Sequence, residues 1–355
     1  MLTVDRQQAL AFRVAGHHLH ERTDPLTAVA AIGLQEHPPG WSAVALHARA
    51  HGDLDPAEVV TVNAMRGAPY VVPRREASIF TAALVPEEDG LRAFVGDGTE
   101  KELADAGFTV RKALDLISAA AREGLTEGPL DRDSFHQAMR ERLPPGLLPW
   151  CRGCQSHHVR SALWRALGPL GVTYMPAKAT FALAEYPTIP IADARQGLAR
   201  RFLRCYGPAT APQLAGWGKT SSAHAKLLFD GVGDELVHVR VDGRRGFVLE
   251  EDLPRLENPP PARGVRLLGG HDPYVAQPDR DALTPDRELR RRLFPSVGRP
   301  GVVLHEGVLV GLWRGRKVGE RLDVEVEWLA SPVDIADEAE AVARLRGCST
   351  LRLVA

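Results

Sequence analysis

No run of about 18 or more apolar residues occurs in the sequence, and its opening residues, Met1-Leu2-Thr3-Val4-Asp5-Arg6, lack the apolar core of a secretory signal. These absences argue against a helical membrane protein and against a secreted one, so the expected compartment is the cytoplasm. Cysteine is scarce. Cys151, Cys154, Cys205 and Cys348 are too few and too unevenly placed to staple 355 residues, and disulfides are not expected to hold the fold. A surplus of either charge is missing as well: 44 Lys and Arg against 45 Asp and Glu give a formal net charge of -1, without the overall basic footprint that phosphate binding leaves.

What is present is globular in composition, with 44% hydrophobic and 25% charged residues over a length that implies several cores. Arginine is concentrated locally. Arg195, Arg200, Arg201 and Arg204 fall on one expected helix, and Arg290, Arg291 and Arg292 precede Arg314, Arg316 and Lys317. Acids gather elsewhere, in Glu87-Glu88-Asp89, Glu250-Glu251-Asp252 and residues 337–340. Such clusters permit a DNA partner and equally suit solvated faces.

One phrase recurs along the chain: two or three short helices, then a pair of short apolar strands. In its clearest copy, residues 193–206 read as a helix with Leu198, Phe202 and Cys205 on one face, stopped by Gly207-Pro208. Thr210 caps a short helix to Trp217, and Ser221 or Ser222 opens another to Phe229. Residues 235–241 then alternate at period two, turn at Asp242-Gly243 and return through 246–249. Three helices and a hairpin make a winged helix, a helix-turn-helix form whose third helix can enter a major groove while the wing touches backbone.

A second copy begins at the N-terminus, with Thr3 capping a helix to His18, further helices at 25–35 and 41–50, and a strand at 68–73 after Met65-Arg66-Gly67. A third, less regular copy runs from Val110 through helices ending near Arg142 and Leu167 to strands at 172–175 and 180–183. After Asn258-Pro259-Pro260-Pro261 the character changes to strands (263–269, 301–304, 308–314, 322–328) with one helix at 335–346, which reads as a small, partly closed β-domain. The expected fold class is α+β, with winged-helix units at 1–90, 91–190 and 191–258 and a β-barrel-like domain at 262–355.

Several landmarks follow one another in order: Gly33-Leu34-Gln35-Glu36-His37-Pro38; Met65-Arg66-Gly67 before a strand; Tyr206-Gly207-Pro208-Ala209-Thr210 with Trp217; Leu267-Leu268 ahead of Asp272-Pro273-Tyr274; and Gly307-Val308-Leu309-Val310-Gly311-Leu312-Trp313-Arg314. Through them nearly the whole chain resembles the winged-helix DNA glycosylases of the azinomycin-resistance, AlkZ-like type. The resemblance implies tandem winged helices followed by a β-barrel-like domain, and a monofunctional glycosylase that requires no cofactor. The family's catalytic Gln-x-Gln or Gln-x-Asp pair falls on Gln35 and His37, so His37 departs from both patterns. Glu36 stands where the family usually has an uncharged residue.

The chemistry can be judged from the residue types. N-glycosidic hydrolysis passes through an oxocarbenium-like state, in which water must be placed and the base must leave. A purine alkylated at N7 is already cationic and leaves as a neutral base, so a strong acid is unnecessary. A Gln carbonyl and a neutral imidazole can each accept from a water, and His37 can also take its proton. Without the resemblance, Gln35 and His37 read as solvated side chains at a helix end running into a Pro38-Pro39-Gly40 turn, and Glu36 supplies a carboxylate if it turns inward and otherwise faces solvent.

Arg66 and the hairpin arginines Arg244 and Arg245 are the expected phosphate contacts, which fix register while carrying little sequence information. Cys151, Cys154 and His157 or His158 offer soft ligands close together. The same stretch reads as a tight turn into a helix, and the metal expectation placed on Cys151, Cys154 and His157 is a structural zinc only. The function expected is excision of bulky or cross-linking N7-alkyl purines from double-stranded DNA by a monomer in the cytoplasm, associated with the nucleoid. The rival is a non-catalytic winged-helix regulator in which the Gln-x-His departure marks a lost active site.

Overall fold

Asp5, not Thr3, opens the first helix: in the computed structural model, which describes residues 2–354, the Asp5 side chain accepts from Gln8 N at 2.8 Å and the helix runs Arg6–Gly16. Thr3 instead belongs to a short strand, Leu2–Val4, paired parallel to Leu236–Val241. An Asp carboxylate accepts at an N-cap as well as a Thr hydroxyl, and Leu2 and Val4 contribute apolar side chains beside Val239 and Val248. Gly16 lies against the later chain so closely that a Cβ there would sit 2.1 Å from Arg204 O. Only glycine allows that backbone approach.

Two compact units, each discontinuous in sequence, make up the chain: residues 1–54, 200–213 and 233–355 in one, and residues 55–199 and 214–232 in the other. In the first unit the strand Leu236–Val241 is the centre of a three-stranded sheet with Leu2–Val4 and Arg244–Leu249. The Asp242-Gly243 turn carries φ of +45° and +80°, the conformation that a two-residue hairpin turn demands and that this dipeptide tolerates.

The C-terminal part of this unit is a five-stranded sheet in the order Val265–Leu268, Gly301–His305, Val308–Val318, Arg321–Trp328, Thr350–Val354. The expected barrel-like closure does not form, and the first and last strands are open edges. The last strand pairs parallel to its neighbour after the helix Ala336–Leu345 crosses over. Ala339, Val342 and Ala343 of that helix pack on Leu267, Val303, Leu322 and Val324, so the helix buries the apolar face that closure would otherwise bury. Two short helices, Arg280–Leu283 and Arg287–Leu293, are inserted between the first two strands, and one of them carries the Arg290-Arg291-Arg292 run.

Trp313 is fully buried at the middle of the sheet and its indole N–H donates to Leu268 O at 2.9 Å. Its cross-strand partner is Gly301, where a Cβ would lie 2.2 Å from the indole nitrogen. The Val44 and Trp41 side chains of the helix Trp41–His47 pack on the same core.

The second unit is built around the helices Val110–Gly124, Arg132–Arg142 and Ser161–Ala166, followed by the hairpin Thr173–Ala177 and Thr180–Leu183. Leu114, Ile117, Phe135, Met139, Leu163, Trp164 and Phe181 form one buried cluster. Each such fully buried large apolar side chain contributes roughly 1.5–3 kcal/mol. A second hairpin, Val59–Asn63 with Pro69–Pro73, joins this sheet through Thr61 opposite Met175. Among the described residues no helix is long and apolar enough to cross a membrane.

Candidate active site and nucleic-acid contacts

Gln35 stands on extended chain, not on the helix end expected for it. The helix Pro25–Ile32 stops at Gly33, whose φ of +73° turns the backbone out of the helix, and Leu34–Gln35 continue as a short strand. Leu34 is buried and anchors the segment, while Gln35 is itself buried and its Nε2 donates to His37 O at 3.1 Å. The amide oxygen is then the acceptor end of the side chain, the end a nucleophilic water requires.

Glu36 is half-buried. Its carboxylate accepts from Gly40 N at 2.7 Å, from Ser42 N at 3.2 Å and from the Ser42 hydroxyl, so it ties the Pro38-Pro39-Gly40 turn to the start of the helix Trp41–His47. That position relative to a helix start suits an anion. The turn leaves the His37 side chain exposed.

A second imidazole faces it. The rings of His37 and His271 have centroids 6.2 Å apart at an interplanar angle of 62°. The loop that presents His271 is held on every side within its own unit. Gly269 sits against Trp41, where a Cβ would lie 2.3 Å from the indole. Asp272 takes both oxygens to Arg49, at 2.6 and 2.8 Å, with both side chains buried, and also accepts from Tyr274 N at 2.8 Å. The Tyr206 hydroxyl donates to Pro273 O at 2.9 Å, and Trp313 holds Leu268. Four of the landmarks seen in the sequence therefore meet at one loop, and His271, adjacent to the Asp272-Pro273-Tyr274 landmark, is the residue that sequence reasoning passed over.

His17 lies beneath this arrangement, its ring 5.0 Å from that of Tyr206 and 5.6 Å from that of Tyr274. Burial, reinforced by Arg49, pushes its pKa well below the usual 6.5, so it is a neutral core histidine.

Arg66 lies in the second unit, in the turn between the strands Val59–Asn63 and Pro69–Pro73, with φ +58°. Its guanidinium donates to the Tyr70 hydroxyl at 2.9 Å. It lines a cleft of about 110 Å³ together with Arg165, Lys219 and Ser161, and no acidic side chain among the described residues lines it. Gly67, also at positive φ, lets Arg165 pack close, since a Cβ there would be 3.1–3.2 Å from the arginine stem. Three cationic side chains thus line one cleft. Arg165 and Lys219 were not legible in the sequence, because they are about 100 and 150 residues from Arg66 and neither belongs to a run of charge.

At the hairpin tip Arg244 and Arg245 are both exposed, and Arg245 lies directly opposite Arg240 across the ladder. Like charges in cross-strand register cost a few tenths of a kcal/mol or more unless an anion neutralises them. Arg244 also reaches Asp281 at 2.9 Å.

The arginine cluster on the helix Ile191–Tyr206 has another role. Arg195 pairs with Glu87 at 2.7 Å, Arg200 with Glu235 at 2.6 Å, and Arg204 with Glu251, while Arg201 donates to Ala30 O at 2.9 Å. The acidic runs that the sequence places elsewhere supply two of these partners, and the charge is spent within the protein.

The cysteine hairpin pairs Trp150–Cys151 with Ser156–His157. It does not use the histidine expected: His157 turns away, its Nδ1 bonded to Leu148 O at 2.8 Å and its ring against Trp150. His158 is the residue brought to Cys151 and Cys154, with ligand atoms of all three within 4.8 Å of one another. A two-residue alternation explains the swap, since neighbouring side chains at a strand end point to opposite sides. The backbone N–H of Cys154, directed at the Cys151 sulfur, pulls that thiol down to about 7.

The family described as DNA glycosylase AlkZ-like matches residues 27–347. An interstrand DNA cross-link repair glycosylase of Streptomyces sahachiroi is 35% identical over 179 residues, 47% of this chain and 47% of that protein, so the match spans about half the length of that curated relative. The solved structure of the Streptomyces sahachiroi DNA glycosylase AlkZ aligns over 99% of this chain and 100% of its own, with a TM-score of 0.76 at 25% identity. With a family match running from before Gln35 to beyond Trp313, the chain belongs to the AlkZ-like DNA glycosylase family.

Proposed function

We propose that this chain is a monofunctional DNA glycosylase that removes N7-alkylated purines, including bulky and cross-linking adducts, from double-stranded DNA. The observation that carries the reading is the Gln35–His37 segment, where a buried amide is tethered to the His37 carbonyl and the exposed His37 ring is faced by His271 from a second loop. Water held by Gln35 Oε1 and His37 attacks C1′ of the sugar. The C1′–N9 bond breaks with its electron pair passing to the purine, which neutralises the ring cation, and the water proton passes to the imidazole. The leaving group brings its own positive charge, so the step requires neither a strong acid nor a Lewis acid.

The order of elements supports three winged-helix units, 1–90, 91–190 and 191–258, followed by the open C-terminal sheet. The unit over 110–183 has three helices and a hairpin in one core. Arg66 with Arg165 and Lys219 would take one phosphate, and Arg244 with Arg245 another. An exposed loop suits a bulky adduct better than a closed pocket into which a base must be flipped. We read the protein as a monomer acting on the nucleoid in the cytoplasm.

A single-turnover assay on duplex DNA containing N7-methylguanine, scored for abasic sites, tests the proposal. Excision should far exceed that from uracil or undamaged guanine in the same duplex. Tight DNA binding without excision of any alkylated purine would instead support the regulator reading.

A further inference from the structure

We propose that Cys151 Sγ, Cys154 Sγ and His158 Nε2 form a binding site for a soft divalent cation, zinc by preference, completed by His136. One ligand atom from each of Cys151, Cys154 and His158 lies within 4.8 Å of the other two. Around tetrahedral zinc, with bonds of about 2.3 Å to sulfur and about 2.0 Å to nitrogen, neighbouring ligands stand about 3.5–3.8 Å apart, so an ion would draw these groups together by about 1 Å.

The histidine is prepared for a metal in a way that a solvated side chain is not. His158 Nδ1 is bonded to the Val159 carbonyl at 2.8 Å, which places the ring proton on Nδ1 and leaves Nε2 as the lone-pair nitrogen. Nε2 is buried and has no hydrogen-bond partner. A ligating imidazole that donates its other N–H to a backbone carbonyl is the usual outer-shell arrangement of a zinc histidine.

The cysteines sit on a tight turn of the hairpin, with Gln155 in the left-handed region at φ +50°, so that the second cysteine folds back beside the first. Gly153 lies between them, close enough for a Cβ to touch the Cys151 sulfur at 3.9 Å. His136, from the helix Arg132–Arg142, has its ring centroid 5.0 Å from that of His158 and a buried Nδ1 that also lacks a partner.

Two buried imidazole nitrogens without hydrogen bonds, beside two thiols, are costly as they stand, at roughly 1–3 kcal/mol each. An ion offsets that cost and a disulfide between the thiols would not. The site would tie the hairpin to the helix Arg132–Arg142 and to the chain entering the helix Ser161–Ala166. Both belong to the second unit, and an ion that ties these elements together serves a structural role.

The test is elemental analysis of full-length protein purified without a histidine tag under reducing conditions, joined to cobalt substitution. About one zinc per chain is expected, lost in Cys151→Ser, Cys154→Ser and His158→Ala, weakened in His136→Ala and retained in His157→Ala. Cobalt should give tetrahedral d–d bands with thiolate charge transfer in the unmodified protein, an observation that does not depend on any variant folding. Chelation should lower the melting temperature. Absence of stoichiometric metal with both thiols reduced, octahedral cobalt without thiolate bands, or loss of zinc in His157→Ala with retention in His158→Ala would each overturn the site.

Discussion

The two loops that bring His37 and His271 together and the hairpin tip carrying Arg244 and Arg245 lie in the same compact unit and are built by opposite means. The first is tethered by buried groups: Arg49 to Asp272, Tyr206 to Pro273, Trp313 to Leu268, and the Glu36 carboxylate across the turn. The second is held at the surface by its strand ladder, by backbone bonds such as Asp242 N to Val4 O and Arg240 to Gly243 O, and by an ion pair exposed to water. Chemistry at one carbon needs groups held to within about half an ångström, and that demands a supporting shell. Contact with a phosphate backbone needs charge on a reachable tip, and flexibility there costs little.

The largest effect should come from breaking the shell. Asp272→Ala leaves the Arg49 guanidinium buried and unpaired, with an expected loss of about 3–5 kcal/mol in denaturant unfolding. Arg244→Ala with Arg245→Ala should leave the same unfolding curve within about 0.5 kcal/mol. Equal losses in the two variants would end the contrast between the regions.

Next in size is the chemical step. Gln35→Ala or His37→Ala should slow single-turnover excision of N7-methylguanine roughly ten- to a thousandfold while DNA affinity barely changes, because in the proposed mechanism these groups act in the transition state. The double variant should lose less than the product of the two effects, since both groups serve one water. If His37 is the base, excision should fall as acid protonates the imidazole, and His37→Gln should flatten that fall while retaining activity. Unchanged rates in both alanine variants would remove this loop from the mechanism.

Acid sharpens the comparison further. His17 is held neutral in the folded protein, with its pKa lowered by burial first and by Arg49 second, whereas in the unfolded chain it titrates near 6.5. Its contribution is fully present above about 6.5. As pH falls below that value the unfolded chain takes up a proton that the core refuses, and stability is lost by up to about 1.4 kcal/mol per pH unit for this group. Melting curves from pH 7.5 to 5 should show the decline, and His17→Phe should make it shallower, because a phenyl ring fills the space between Tyr206 and Tyr274 without a titrating nitrogen. An unaltered slope would mean that other histidines carry the whole effect.

The smallest effect belongs to the tip. Arg244→Ala with Arg245→Ala should weaken DNA binding evenly across sequences and reduce the steepness of its salt dependence by up to about one unit per lost contact. Binding titrations at several salt concentrations read this directly, and an unchanged slope would exclude the hairpin as a contact.

Local chemistry determined much of this protein before any tertiary contact was known. Asp242-Gly243 can adopt positive φ cheaply, so the hairpin turn was legible from two residues, and a cap was legible at Ser221 or Ser222, of which Ser221 accepts from a backbone N–H three residues away. The ordered landmarks carried the family and pointed to Gln35 and His37. Other features were decided by packing alone. Gly33 ends its helix two residues short of Gln35, Glu36 turns inward to hold Gly40 and Ser42, and the β-domain stays open because a crossover helix covers the face that a barrel would have closed. Only the folded chain brings Arg165 and Lys219 to Arg66 and His271 to His37, and only the strand register at Ser156–His157 selects His158 over His157. Sequence encodes what a residue and its near neighbours prefer. Which distant side chains share a site depends on how elements far apart in the chain bury one another's apolar faces, and no local pattern records that.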